Sequence, residues 1–442
     1  MRVLWLCNII PPVIARELNR EVSNKEGWIS GMVEAVLADR EENGLELSMA
    51  FPMEDAPFPV GEKIASIACY GFREDIKNPE KYEESLEQSL QKIVYHVKPD
   101  IVHCFGTEYP HTLAMCRIFL QKERLLVGLQ GLCSLLAEAY CADLPGKVAD
   151  SVTFRDWLKK DSIRQQQEKF RIRGRQEREI VSLAGNITGR TGWDRQQTRK
   201  WNPDARYFHM NETMRKEFYG HVWQEKECIP HSVFLSQGDY PLKGLHYMLL
   251  ALPAILERYP DTRVYVAGNS LVAHKTWKDR LKISAYGKYL LKLLKENSLE
   301  DKVIFLGKLN AGEMRDRYLK SHLFVCPSSL ENSPNSLGEA MLLGMPCVCA
   351  GVGGIPSLFE DGKDGIVYEG FSGTDENIRE DEQLGRRLET VAGRLAGAVM
   401  QMWARPERMG EYCRNARRHA EKTHDRSENY RRLLEIYRIL IS

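Results

Sequence analysis

The chain reads as an α/β protein made of two doubly wound, Rossmann-like domains. Three observations carry this. Along 442 residues, short apolar runs alternate with stretches of helical periodicity, the pattern of parallel sheets covered on both faces. The alternation occurs as two series, separated by "RKWNPDARYFHMNETM" (Arg199–Met214), where regular patterning lapses. A hydrophobic content of 43% suffices for two cores.

The first strand is expected at Val3–Cys7. The opening "MRVLWLCNIIPPVIA" is apolar after one arginine and invites reading as a signal peptide. Pro11 and Pro12 cut the run, Arg16, Glu17 and Arg20 follow, and no small-residue cleavage site appears. A buried strand is the better reading. Further strands of the first series are expected at Leu47–Ala50, Ile101–Cys104, Leu125–Leu129 and Ile187–Gly189, with helices over Gly31–Arg40 and Tyr82–His96. The second series has strands at Val233–Ser236, Arg263–Ala267, Val303–Leu306, Leu323–Cys326, Cys347–Ala350 and Gly365–Tyr368. Its helices are expected over Gly244–Glu257, Gly287–Asn297, Ala311–Ser321 and Ser336–Gly344. The tail "SENYRRLLEIYRIL" puts Tyr430, Leu433, Leu434, Tyr437 and Leu440 on one helical face, a face that packs on a domain. The expected organisation is therefore 1–205, 206–415, and a final helix, 416–442, that could pack on either domain.

The formal net charge is +1, so nothing global points to nucleic acid. Eleven cysteines are scattered without C-x-x-C or metal-ligand spacing, as expected of reduced core thiols in a cytoplasmic protein. No metal site is expected. No run reaches the ~18 apolar residues of a spanning helix, so membrane contact would be peripheral. The basic helical segment 154–178, with Trp157, Leu158, Ile163 and Phe170, leaves two readings open: a solvated face over a core, or attachment to an anionic bilayer at the inner face of the membrane.

The most informative stretch is "CPSSLENSPNSLGEAMLLGMPCVCAGVGGIP", Cys326–Pro356. A buried strand ends near Pro327, a polar loop holds Glu331, and a helix begins near Ser336 with Glu339 one turn in. Gly344 ends that helix before Pro346. Ligands of open parallel sheets bind beyond the carboxyl ends of the strands. A helix N-terminus there suits a phosphate. Glu339 would accept from ribose hydroxyls and Glu331 would stand nearer a sugar. The plain alternative is a helix start with two solvated glutamates.

These residues carry a resemblance. Glu331, seven residues, then Glu339 and "AMLLGMPCVCAGVGGIPSLFEDGKDGIVYE" resemble the donor-site signature of retaining glycosyltransferases of the GT-B fold, group 1 or family 4 type. Within it the nearest likeness is to enzymes building bacterial surface polysaccharides and glycolipids. "VIFLGKLNAGEMRDRYLKSHLFVCPS", "PLKGLHYMLLALPAIL", "KPDIVHCFGTEYPH" and "NKEGWISGMVEAVL" resemble further elements of that family, the last two more weakly.

The resemblance implies two domains facing a cleft, with the helix 416–442 crossing back to the first, and a retaining hexosyltransferase that needs no metal or cofactor. It would move a sugar from a nucleotide-sugar, UDP- or GDP-linked, to a hydroxyl of a glycan or lipid-linked acceptor. It implies that Lys243 meets the β-phosphate. Asn335, Ser336 and Leu337 would face the donor sugar, with Ser333–Ser336 setting its identity, and Lys308 and Leu309 would lie by the nucleobase. Gly27 and Gly31 would let backbone approach the diphosphate, and Gly353–Gly354 would turn beside it. His111 and Glu108 would serve the acceptor, and His103, on the strand itself, reads more readily as structural. Six positions before Lys243, where the family usually has arginine, stands Gln237, which can donate a hydrogen bond but carries no charge. Lys308 and Arg190 are the cations that could substitute. Alternatives are an epimerase or phosphorylase on the same fold, or a nucleotide-sugar-binding protein without turnover. A Rossmann oxidoreductase is disfavoured by the missing G-x-G-x-x-G fingerprint.

Overall fold

The run Arg2–Leu6 forms β1, the strand around which a seven-stranded parallel sheet is wound. The computed structural model describes residues 1–20, 27–39, 44–60, 63–269, 271, 281–371 and 381–442. The sheet continues with β2 (Glu46–Pro52), β3 (Ala68–Phe72), β4 (Ile101–Phe105), β5 (Leu125–Gly128), β6 (Asn186–Gly189) and β7 (Arg206–His209). The order is β3-β2-β1-β4-β5-β6-β7. Successive side chains of β1 alternate between faces. Leu4 and Leu6 join a core with Leu86, Leu90, Ile93 and Leu113. Val3, Trp5 and Cys7 join another with Ile29, Val33, Leu433 and Tyr437. Burial on both faces explains why the inner strands read as unbroken apolar runs.

A second, six-stranded parallel sheet comprises β8 (Ile229–Leu235), β9 (Arg263–Ala267), β10 (Val303–Gly307), β11 (Ser321–Cys326), β12 (Cys347–Ala350) and β13 (Ile366–Tyr368). Its order is β10-β9-β8-β11-β12-β13, so the direction of winding reverses between β8 and β11. Every strand expected from sequence is present, shifted by at most a few residues. Two strands were not expected. β3 is five residues long, with Gly71 inside it. β7 is a half-exposed edge strand, paired only with β6, and lacks a buried apolar run.

The chain forms two compact units with different borders from those expected. The first holds Met1–Leu135, Lys169–Lys216 and Thr423–Ser442; the second holds Leu136–Glu168 and Glu217–Lys422. The expected border at 205/206 fails because Arg206 pairs with Asn186 in the first sheet. Residues 136–168, expected in the first domain, belong to the second unit through polar contacts that no periodicity reveals. The Ala142 carbonyl accepts from His246 Nε2 at 2.8 Å and from the Tyr247 hydroxyl at 3.0 Å. Asp143 pairs with Arg387 at 2.9 Å, and the Ala285 N–H donates to Asp156 at 2.8 Å. The helix Pro406–Thr423 stays almost wholly with the second unit, so the returning segment begins at Thr423 rather than 416. Its helix Arg426–Ile441 buries Leu433, Leu434, Tyr437 and Leu440, and the Tyr437 hydroxyl accepts from Trp5 Nε1 at 2.7 Å. All cysteines but Cys141 and Cys228 are buried, as expected for core residues.

Candidate active site

Two loops meet beyond the carboxyl ends of β8 and β11, at the point where the second sheet changes direction. The loop after β8 closes in a short turn, Pro241–Lys243, and Gly244 then opens the helix Leu245–Arg258. Gly244 has φ +69°, and a Cβ there would lie 1.9 Å from the Pro327 carbonyl oxygen. Only glycine lets the helix start this close to the end of β11. The Ser329 N–H donates to the Leu242 carbonyl at 2.8 Å, tying the loops together. On the far side, Gly353 (φ +54°) packs against the Glu331 carbonyl, which accepts from the Gly354 N–H at 2.9 Å. The glycine pair therefore holds Glu331's backbone.

Between these supports, Lys243 Nζ lies 2.6 Å from Glu331 Oε1, with both side chains mostly buried. The Ser328 hydroxyl donates to the same oxygen at 2.8 Å. Burial pulls the Lys243 pKa down, but Glu331 and Tyr240 outweigh it, and the ammonium is held above the ordinary lysine range. A mostly buried ion pair thus sits where the loops after β8 and β11 meet.

That helix, Asn335–Leu343, follows Pro334 and has no side-chain cap. Asn335 Oδ1 is buried and has no hydrogen-bond partner among the described residues. Glu339 is buried within the first turns, at 4% exposure, not solvated as the plain alternative required. Leu337 belongs to the core, and its N–H already donates to the Pro334 carbonyl at 3.0 Å, so it has no polar group to offer. Ser336 is half-buried, and its carbonyl accepts from Tyr318.

Gln237, half-buried, follows β8 by two residues. Lys308 and Leu309 follow β10, the sheet edge, two strands and thus ~10 Å from β8. Lys308 is exposed and is not brought beside Lys243. Arg190, the other substitute cation, is buried in the first unit and paired with Glu212.

In the first unit, His111 is fully buried on the helix Pro110–Ile118. Its Nδ1 lies 2.7 Å from Glu74 Oε2, and its backbone N–H donates to Glu74 Oε1 at 3.0 Å. The Nδ1–H therefore donates to the carboxylate, and the buried Nε2 has no hydrogen-bond partner among the described residues. Glu74 was not foreseen. It follows β3, and that strand had no clear signal. Glu108 accepts from the Gly131 N–H at 2.6 Å, a loop-holding contact. His103 is structural: its Nδ1 lies 2.8 Å from the Tyr437 hydroxyl, and burial holds the imidazole down near 3. Gly27 opens a helix of this unit, and the residues before it lie outside those described. Gly31 serves close packing, since a Cβ there would lie 2.6 Å from Thr213.

Glu177 was also missed. It is fully buried and accepts from the Thr107 hydroxyl, the Cys133 and Ser134 N–H groups and the Ser134 hydroxyl at 2.9–3.1 Å. Burial raises its pKa to about 7.

Comparison with known proteins adds the following. The family model described as glycosyl transferases group 1 matches residues 230–379. The spore coat protein SA of Bacillus subtilis is 27% identical over 197 residues, 44% of this chain and 45% of that protein. The N-acetyl-alpha-D-glucosaminyl L-malate synthase of Bacillus anthracis is 33% identical over 104 residues, 22% of this chain and 27% of that protein. The matches thus span less than half the length of these curated relatives. The crystal structure of Anabaena HepE in complex with UDP is similar over 98% of this chain and 99% of that one, with a TM-score of 0.62 at 14% identity, a likeness of fold.

Proposed function

We propose that this chain, whose residues 230–379 match the family model of glycosyl transferases group 1 and which has the GT-B fold, is a retaining glycosyltransferase. It moves a sugar, a hexose by type, from a nucleotide-sugar to a hydroxyl of a glycan or lipid-linked acceptor, in surface polysaccharide or glycolipid synthesis. The observation that carries this is the Lys243–Glu331 pair at the switch point of the second sheet, beside the uncapped start of Asn335–Leu343.

The bond between the anomeric carbon and the β-phosphate oxygen breaks, and negative charge grows on the diphosphate. A preorganised cation and free N–H groups aimed there lower the barrier. Lys243, held charged, supplies the cation, so neither metal nor cofactor is called on. Glu331 and Asn335 face the sugar, and Glu339 the ribose. The acceptor oxygen bonds to the anomeric carbon on the face the phosphate leaves, which keeps the configuration. The acceptor proton passes to the departing phosphate oxygen, and His111, fixed by Glu74, orients the acceptor. On this reading the enzyme is cytoplasmic, with peripheral contact to the inner face of the membrane.

UDP-sugars are the first donors to try, because the HepE structure is a UDP complex. The test incubates the protein with UDP-, GDP- and ADP-sugars, following nucleotide release and thermal shift, alongside Glu339→Ala. A shift with one nucleotide class, lost in the variant, supports the reading; no shift with any donor sinks it. A second reading, a nucleotide-sugar-binding protein without turnover, is favoured by the uncharged Gln237. Binding with no product on any acceptor would select it.

A further inference from the structure

The segment 154–178 carried two readings from sequence, and the structure divides it. The helix Ile163–Leu183 faces inward along much of its length: Ile163, Gln167 and Glu177 are buried, and Arg173 lies over the Phe170 ring. The short helix before it, Phe154–Lys159, does the opposite. Phe154 is 58% exposed, Trp157 67% and Leu158 65%, and Val152 just ahead is 57% exposed. Four large apolar side chains within seven residues thus stand in solvent, all within the second unit. Single exposed apolar residues are ordinary, but a cluster of this kind marks a surface that something covers.

The ridge is rigidly held. Thr153 and Asp156 form a reciprocal capping box, Asp156 accepts from the Ala285 N–H at 2.8 Å, and Arg155 bridges Asp156 and Asp161. The aromatic pair Phe154 and Trp157 sit with ring centroids 6.1 Å apart. The charges nearby are one-sided. Asp156 is held by its cap and Asp161 by Arg155, while Asp150 pairs with Arg164 at the surface. Lys147, Lys159 and Lys160 are exposed and form no ion pair among the described residues.

We infer that the ridge Val152–Lys160 is a membrane-docking surface for an anionic phospholipid bilayer. Trp157, Phe154 and Leu158 enter the headgroup boundary, where an indole with an apolar body and a polar N–H is favoured. Lys147, Lys159 and Lys160 meet the lipid phosphates, and each lysine adds attraction that salt screens. This surface is independent of the sugar-transfer reading, because no residue of the Lys243–Glu331 site contributes to it.

The test is sedimentation of the full chain with vesicles of phosphatidylcholine alone and of phosphatidylcholine with phosphatidylglycerol. The wild type is expected to follow the anionic vesicles and to leave them at high salt. Trp157→Ala with Leu158→Ala is expected to weaken binding at least about tenfold, as loss of two interfacial anchors should. Lys159→Glu with Lys160→Glu is expected to abolish the preference for anionic over neutral vesicles. These side chains are exposed, so unchanged thermal unfolding confirms that the variants fold. Absence of vesicle binding, or binding equal in both variants and wild type, overturns the inference. So does a wild type that elutes as a dimer and becomes monomeric in Trp157→Ala, which would make the ridge a contact between copies.

Discussion

The Lys243 ammonium and the Glu331 carboxylate, 88 residues apart in sequence, lie 2.6 Å from each other where two adjacent strands end. Neither strand alone places them. Gly244 lets one loop approach and Gly353 supports the other, so the pair measures how well the switch point is assembled.

The first prediction concerns this pair. Lys243→Met removes the cation paired with Glu331 at the switch point, so nucleotide release should fall roughly a hundredfold or more. Lys243→Arg keeps the charge but changes its shape, and should recover part of the rate. Lys243→Met with Glu331→Gln should show a stability coupling of about 1–3 kcal/mol in a double-mutant cycle, as expected of contacting charges. Additive losses would mean that the two groups do not act together.

Glu74 offers a second. Its two oxygens serve the imidazole and the backbone N–H of His111 at once. Glutamine can accept only one of those bonds, so Glu74→Gln should cost about 1–3 kcal/mol of unfolding free energy. It should also lower transfer to acceptor more than hydrolysis of the donor, because the ring then loses its fixed tautomer. Equal losses in both rates would argue for a purely structural contact.

Much of this arrangement was legible beforehand. β1, β4, β8, β11 and β12 are inner strands, buried on both faces, and their apolar runs announced them. Lys243, Glu331 and Glu339 stood out because glycines, a proline and a helix start surround them. What stayed hidden was held by isolated polar contacts or lay at sheet edges. β7 exposes half its residues, and β3, just before Glu74, is only five residues long with a side-chain-less Gly71 inside it. Residues 136–168 join the second unit through the Ala142 carbonyl and Asp143, contacts made across about a hundred residues. Leu337 and Gly31 matched a pattern, yet their surroundings make them packing residues.

A third prediction follows from three buried histidines. Burial holds His103 down to about 3, and His246 and His322 down to about 4. The unfolded chain takes up these protons near pH 6.5, but the folded chain refuses them. Each folded pKa is lowered, so stability is full above about 6.5 and falls with pH toward 4, by about 1.4 kcal/mol per pH unit for each histidine. Glu177 acts in the opposite sense. Its pKa is raised to about 7, so its contribution is present below 4.5 and fades as pH rises through 7. Denaturant unfolding between neutral pH and about 5 should show a net acid loss, and His246→Gln should flatten it by about one histidine's share. An unchanged slope would show that His246 titrates in the fold.

The last prediction separates backbone strain from close approach. Gly244 and Gly362 have nearly the same left-handed φ, +69° and +71°. A Cβ on Gly362 would meet nothing within 4 Å, whereas on Gly244 it would lie 1.9 Å from the Pro327 carbonyl oxygen. Gly362→Ala should therefore cost only the left-handed penalty, about 1–2 kcal/mol. Gly244→Ala carries that penalty and must also push the helix start Leu245–Arg258 away from β11. The displacement carries Lys243 from Glu331, so nucleotide release should drop with stability in Gly244→Ala and stay near wild type in Gly362→Ala. If both variants lose the same stability and keep the same activity, the close approach at Pro327 is not what sets the Lys243–Glu331 pair.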